Sequence, residues 1–271
     1  MEGQTVTKGG LKLEKKIQGL KLLPEYADVT VEKREKSYLI NGTSYQRVTT
    51  ALNIIDKPGM QFWAVNQALA SMDEWLKSPV TSRSSPDQAL AWAKTAPQRT
   101  SGKASDRGTE THALVERIIN EGPQVWEEVP LELVPAVNGA VEYLSDYGIT
   151  VIATEQTVWS NTLKVAGTFD GMGFMGDKLV LFDWKRSKAI YWNMALQLGV
   201  YSQMVYELTG AIPDEAHVVR LSQGEPNPDG KFYEARVVAD LPAAYEAYVA
   251  AFNLHTAGKA KWWTQTNNEA K

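Results

Sequence analysis

The run GTFDGMGFMGDKLVLFDWK, residues 167–185, constrains this chain more than any other stretch. Gly176-Asp177 divides two apolar segments, and a Gly-first pair suits a two-residue type II′ hairpin turn. With that turn Met175 opposes Lys178, and pairing continued outward sets Asp170 directly opposite Asp183. Opposed residues have Cβ atoms about 4.5–5.5 Å apart. Lys185 lies two residues beyond Asp183 and shares its face, while Phe182 and Trp184 point the other way, toward a core. The run LVLF argues for burial, and burial sharpens the repulsion between two facing carboxylates. Three remedies exist: a proton held on one carboxyl, the ammonium of Lys185, or a divalent ion with oxygen ligands. Gly171 and Gly173 leave the backbone beside Asp170 open to close approach. The bland alternative is an edge hairpin with solvated acids and a lysine salt bridge.

Composition narrows the chemistry. The 271 residues are 44% hydrophobic and 22% charged, enough for a sizeable core in one large domain or two small ones. Net charge is -4, so any affinity for phosphate requires a local basic patch. The chain has no cysteine, which excludes disulfides, cysteine zinc sites and cysteine-ligated iron–sulfur clusters. Only His112, His217 and His255 offer imidazole, so hard oxygen ligands would dominate a metal site and favour magnesium, manganese or calcium. No apolar run reaches the roughly 18 residues of a membrane span, and the N-terminal segment lacks a signal peptide's apolar stretch. The expected location is the cytoplasm.

Along the chain, residues 1–24 read as a loose polar arm. Residues 29–50 alternate around Asn41-Gly42, a strong hairpin signal. Helical segments flank Pro58-Gly59. A Ser/Pro-rich connection at 77–88 leads to a short helix at 89–96. Helical period resumes at about Ser105 and stops at Gly122, and a second helix covers 133–148. Strands are expected at 150–160, 163–174 and 178–187, then an amphipathic helix at 191–208. Strands at 215–223 and 231–239 flank the turn GEPNPDG, and a helix follows from Leu241. The layout is mixed α/β, with a core at 105–271 and an N-terminal elaboration at 1–104.

With those elements in place, the motifs form a recognisable set. GTFD at 167–170 and FDWK at 182–185 resemble the PD-(D/E)XK nuclease superfamily, and within it the RecB-type exonuclease branch. RGTETH at 107–112, opening a helix, resembles that branch's upstream Gly-Thr-x-x-His motif. QLGVYS, with Gln197 and Tyr201 four apart, resembles its Gln-x-x-x-Tyr motif. The order helix, three strands, helix, strand matches the αβββαβ core of the superfamily, a central mixed sheet flanked by helices. The likeness covers about residues 105–225. Upstream, residues 45–64 are similar to the leading segment of phage and mitochondrial relatives that lack an iron–sulfur cluster.

The resemblance implies a metal-dependent deoxyribonuclease, an exonuclease on DNA ends or single strands in recombination, repair or phage replication. It implies Mg²⁺ or Mn²⁺ on His112, Asp170, Asp183 and the backbone carbonyl of Trp184. Lys185 would orient or deprotonate the attacking water, Gln197 would support the site, and Tyr201 would contact DNA or brace the pocket. Glu116, one turn after His112, is a further candidate ligand or a partner for His112. Glu155, on the preceding strand, could also face the cleft but reads first as a strand-surface acid. Arg107, Arg186 and Lys188, with Arg99 and Lys103, could supply the local positive patch for DNA. Trp63, Trp75 and Trp92 could stack on unpaired bases but read first as core residues. Partner proteins in recombination or replication fit the same reading. The alternatives are an endonuclease of the same fold, a non-catalytic DNA-binding protein on it, or an unrelated binding module.

Overall fold

A computed structural model describes Leu23, residues 28–55 and residues 57–259. Most of the proposed arm and the residues from 260 onward lie outside the described part. Strands β1 (Val31–Lys33), β2 (Ser37–Ile40) and β3 (Thr43–Arg47) form the N-terminal meander. Asn41 and Gly42 both have positive φ, 46° and 77°, as a type I′ turn requires. Helix α1 (Val48–Leu52) follows at once, where the sequence suggests more strand.

Helices α2 (Pro58–Lys77), α3 (Pro86–Lys94) and α4 (Ala96–Glu121) come next. Helix α3 is closed by a capping box in which the Ser85 hydroxyl accepts from the Gln88 N–H. Helix α4 begins nine residues before the expected Ser105. Its first turns are polar and contain Gly102, so they carry no apolar period to read. Gly122, at φ 102°, ends it as expected. Trp63 and Trp75 are half-buried, but Trp92 is 60% exposed, with the Arg99 guanidinium 3.4 Å from its ring centroid. Trp92 is therefore not core.

Helix α5 (Val134–Asp146) leads into β4 (Ile149–Ser160), β5 (Val165–Met175) and β6 (Lys178–Lys185). Helix α6 (Trp192–Thr209), β7 (Glu215–Leu221), β8 (Tyr233–Val237) and α7 (Leu241–Ala257) complete the described chain. The fold is α/β, with one mixed eight-stranded sheet between helices. Leu198, Tyr201, Met204 and Tyr248 from α6 and α7 bury one face against Phe169, Met172 and Leu181. Val115 of α4 and Val137 and Tyr143 of α5 bury the other against Phe182, Trp184 and Val219.

The N-terminal meander is not a separate layer. β3 pairs in parallel with β5 at Gln46–Val165 and Arg47–Ala166, so the meander extends the same sheet. β6 pairs antiparallel with β5 from Gly171–Phe182 to Met175–Lys178, the register expected from the Gly176-Asp177 turn. Gly176 alone of that pair has positive φ, 61°, as type II′ demands. β4 covers the whole opposite edge of β5. One edge of β5 is thus taken by β3 at its start and by β6 at its end. Residues 167–170 lie between the two ladders.

Candidate active site

A cavity of about 310 Å³ opens at that interval. β5 contributes Gly167, Thr168 and Asp170, β6 contributes Asp183 and Lys185, and α4 contributes His112. Glu155 of β4 and Gln197 and Tyr201 of α6 complete its inner wall. Lys33, Tyr38 and Arg47 of the meander form the remaining side.

The strands arrange the acids in a row. Glu155 falls between the pairs Thr154–Gly171 and Gln156–Phe169, which sets it opposite Asp170. Asp183 falls one step beyond the last β5–β6 pair, opposite Asp170 on the other side. The two carboxylates are not bridged as a ladder pair. Asp170 Oδ2 instead accepts the Trp184 N–H at 2.6 Å, so the acid side chain binds the backbone where the strands part. The Trp184 contact found is through its N–H, whereas the resemblance invokes its carbonyl. Gly171 permits the packing beside Asp170: a Cβ there would stand 2.0 Å from the Phe182 ring.

His112 Nδ1 is 3.2 Å from Asp170 Oδ1 and 3.9 Å from Glu155 Oε1. Among the described residues, His112, Glu155 and Asp170 are the group whose ligand atoms could hold a metal ion, all within 4.8 Å of one another. Two hard carboxylates and one imidazole suit an oxygen-seeking divalent cation. Asp183 stands apart from that group, ion-paired to Lys185 Nζ.

Burial and charge set the protonation states. Burial pushes Asp183 up to about 6, with Asp170 adding to the rise and Lys185 opposing it. Burial likewise pushes Glu155 up to about 7, again reinforced by Asp170. Burial also acts to raise Asp170, but His112, Lys185 and the Trp184 N–H outweigh it and hold the carboxyl below its usual range. For His112 burial favours the neutral ring, yet Asp170 and Asp183 win and raise its pKa. Lys185 is raised in the same way, with Asp183 and Asp170 overcoming burial. Crowded acids that ionise reluctantly beside one another gain from a bound cation.

Gln197 Nε2 donates to Tyr201 Oη at 3.0 Å, so the two α6 residues act as one unit. Tyr201 is buried, which raises its phenol pKa well above the usual value. Glu116 is half-buried and close enough to help raise Glu155, but does not line the cavity. Arg107, Arg186 and Lys188 also lie outside it. Arg107 pairs with Glu132 at 3.1 Å, and Arg186 is half-buried with Nε unpartnered. Besides Lys185, the cavity is lined by Lys33 and Arg47, which carry no sequence signal for that role. Glu155 belongs to the site rather than to the outer strand surface. Only the β4–β5 register, which sets Glu155 opposite Asp170, brings it to the site.

A scan against protein-family models finds no match for the chain, and a search of the curated proteins likewise finds none. No helix among the described residues is long and apolar enough to cross a membrane.

Proposed function

We propose that this chain is a Mg²⁺- or Mn²⁺-dependent deoxyribonuclease of PD-(D/E)XK type, hydrolysing phosphodiester bonds at DNA ends or in single strands. One observation carries the reading: His112, Glu155 and Asp170 converge at the open interval of β5, beside the Asp183–Lys185 ion pair. Crowded acids and a buried lysine in one cavity fit a bound cation beside a positive group aimed at phosphate.

His112, Glu155 and Asp170 would hold the ion, with Asp183 joining them once ionised. A bound divalent cation supplies charge relief at the phosphoryl oxygens and a more acidic water. Lys185, kept cationic by two aspartates, donates hydrogen bonds toward the negative charge that develops on the phosphoryl group. Asp183 fixes the Lys185 ammonium through their ion pair. Gln197, braced by Tyr201, lines the cavity opposite β5 and orients what enters it.

End-labelled single- and double-stranded DNA with Mn²⁺ tests the proposal, wild type against Lys185→Ala. Activity lost by at least 100-fold in the variant is expected. Equal cleavage by both proteins overturns the roles assigned here, and cutting of closed circles overturns the preference for ends.

A further inference from the structure

The meander β1–β3 brings two cations to the cavity that the proposed chemistry does not use. Lys33 pairs across from Tyr38, and Tyr38 from Tyr45, so these residues share one face of the sheet. Arg47, two residues after Tyr45, is on that face too, with its guanidinium 5.1 Å from the Tyr38 ring centroid. Tyr38 is buried, and its hydroxyl bonds Thr168 Oγ1 at 3.2 Å, which ties the meander to β5 inside the cavity. Arg47 is fixed from behind: Nε and Nη2 both donate to the Arg34 carbonyl, at 3.1 and 2.6 Å. Lys33 has no ion-pair partner among the described residues, although its ammonium lies near enough to Glu155 to lower that acid's pKa. A held arginine and an uncommitted lysine, set on a rigid sheet beside an anionic catalytic row, have the chemistry of a phosphate cradle.

Register gives its distance from the reaction. Arg47 pairs with Ala166, and Asp170 lies four residues farther along β5, about 13 Å at strand rise. That separation sets the Arg47 end of the cradle apart along β5 from the phosphoryl group held over Asp170, while Lys33 lies on the Glu155 side of the same cavity. Resting on the nuclease reading, we propose that Lys33 and Arg47 bind a flanking phosphate of the same DNA strand and so set how the strand is seated in the cavity. A cavity of about 310 Å³ is small for a ligand site, which accords with one nucleotide between the two phosphates.

The test uses the full chain and a 3′-labelled single-stranded oligodeoxynucleotide, with Ca²⁺ replacing Mn²⁺ so that anisotropy reads binding without turnover. Lys33→Ala should weaken binding about tenfold, the loss of one charged hydrogen bond. Its log–log salt slope should be shallower by about 0.7, the share of one single-strand phosphate. Lys33→Glu should weaken binding further, and Lys33→Arg should restore it. Unchanged affinity and salt slope in Lys33→Ala, with wild type cleaving DNA in Mn²⁺, overturns the cradle and leaves the nuclease reading intact. Weaker binding by Lys33→Ala in a protein that cleaves nothing upholds the phosphate site and overturns the nuclease reading. Absence of single-strand binding by wild type overturns the cradle, and absence of cleavage of both single-stranded and duplex DNA in Mn²⁺ overturns the nuclease reading. Oligonucleotides with 5′-phosphate or 5′-hydroxyl ends separate the sources: a loss confined to the phosphorylated strand marks a terminal phosphate, and equal loss marks an internal one.

Discussion

Glu155 lies across the β4–β5 ladder from Asp170 on a backbone with φ of 48°. An L-residue with a long side chain pays about 1–2 kcal/mol in that left-handed region. The same residue carries a carboxyl whose burial raises its pKa to about 7. Strain and a reluctant charge at one position accord with the ligand role proposed for Glu155. Glu155→Asn tolerates the left-handed region and removes the charge. We expect the metal-free variant to be more stable than wild type by about 1 kcal/mol in urea. Its Mn²⁺-dependent rise in melting temperature should shrink. A variant that keeps the full metal shift would remove Glu155 from the ligand set.

The acids also predict an unusual pH profile. Asp183 and Glu155 have folded pKa values above their unfolded ones. The stability each contributes is complete below its unfolded value and is lost as pH rises through about 6 and about 7. His112, also raised, loses its contribution in the same upward direction. Asp170 runs the other way, and its contribution is lost only as pH falls below its unfolded value. Metal-free protein should therefore lose stability between about pH 4 and pH 7 relative to an Asp183→Asn, Glu155→Gln double variant. Mn²⁺ binds the deprotonated groups, so its affinity should climb over the same interval with proton release. Calorimetry in two buffers of different ionisation enthalpy measures that release. Metal binding that is flat from pH 5.5 to 8 would falsify the assignment of these acids as ligands.

Gly171 couples packing to the site. Its missing Cβ is the space filled by the Phe182 ring, and its neighbour is Asp170. Gly171→Ala forces Phe182 away and should cost about 1–3 kcal/mol of stability. Phe182 packs at 4.9 Å against the Trp184 ring, and the Trp184 N–H holds Asp170, so the displacement reaches the carboxylate. The folded variant should bind Mn²⁺ more weakly than wild type. Full metal affinity in a destabilised variant would show that Asp170 is positioned independently of this packing.

The hairpin of β5 and β6 was legible because a Gly-first turn dictates register, and register alone aligns Asp170 with Asp183. The meander turn at Asn41-Gly42 was legible for the same local reason. What sequence could not supply was non-local. Nothing in residues 29–50 tells that β3 will pair with β5 at Ala166 and carry Arg47 and Lys33 to the cavity. For Glu155 the sequence leaves cleft and surface both open, because its strand reads as ordinary alternation while the backbone there turns left-handed. The start of helix α4 is not legible because residues 97–104 carry no apolar period, and its early turns lie on the surface, where none is needed.

A buried polar chain on the far side of the sheet separates stability from chemistry. Tyr143 Oη and His217 Nδ1 are 2.8 Å apart, and His217 Nε2 is 3.0 Å from Glu215 Oε2. His217 is fully buried, and burial lowers its pKa. A neutral ring then accepts from the Tyr143 hydroxyl at Nδ1 and donates to Glu215 from Nε2. His217 meets the helix α5 face of the sheet, whereas Val218, the residue paired with Asp183, meets the α6 face. Tyr143→Phe keeps the ring contacts with Phe182 and Trp184 but leaves Nδ1 buried without a donor. That omission should cost about 1–3 kcal/mol, read as a lower urea midpoint at unchanged slope. The Mn²⁺-dependent melting shift and cleavage per folded molecule should stay at wild-type levels. A loss of metal binding in Tyr143→Phe would mean that helix α5 helps hold β6 in the geometry the cavity requires.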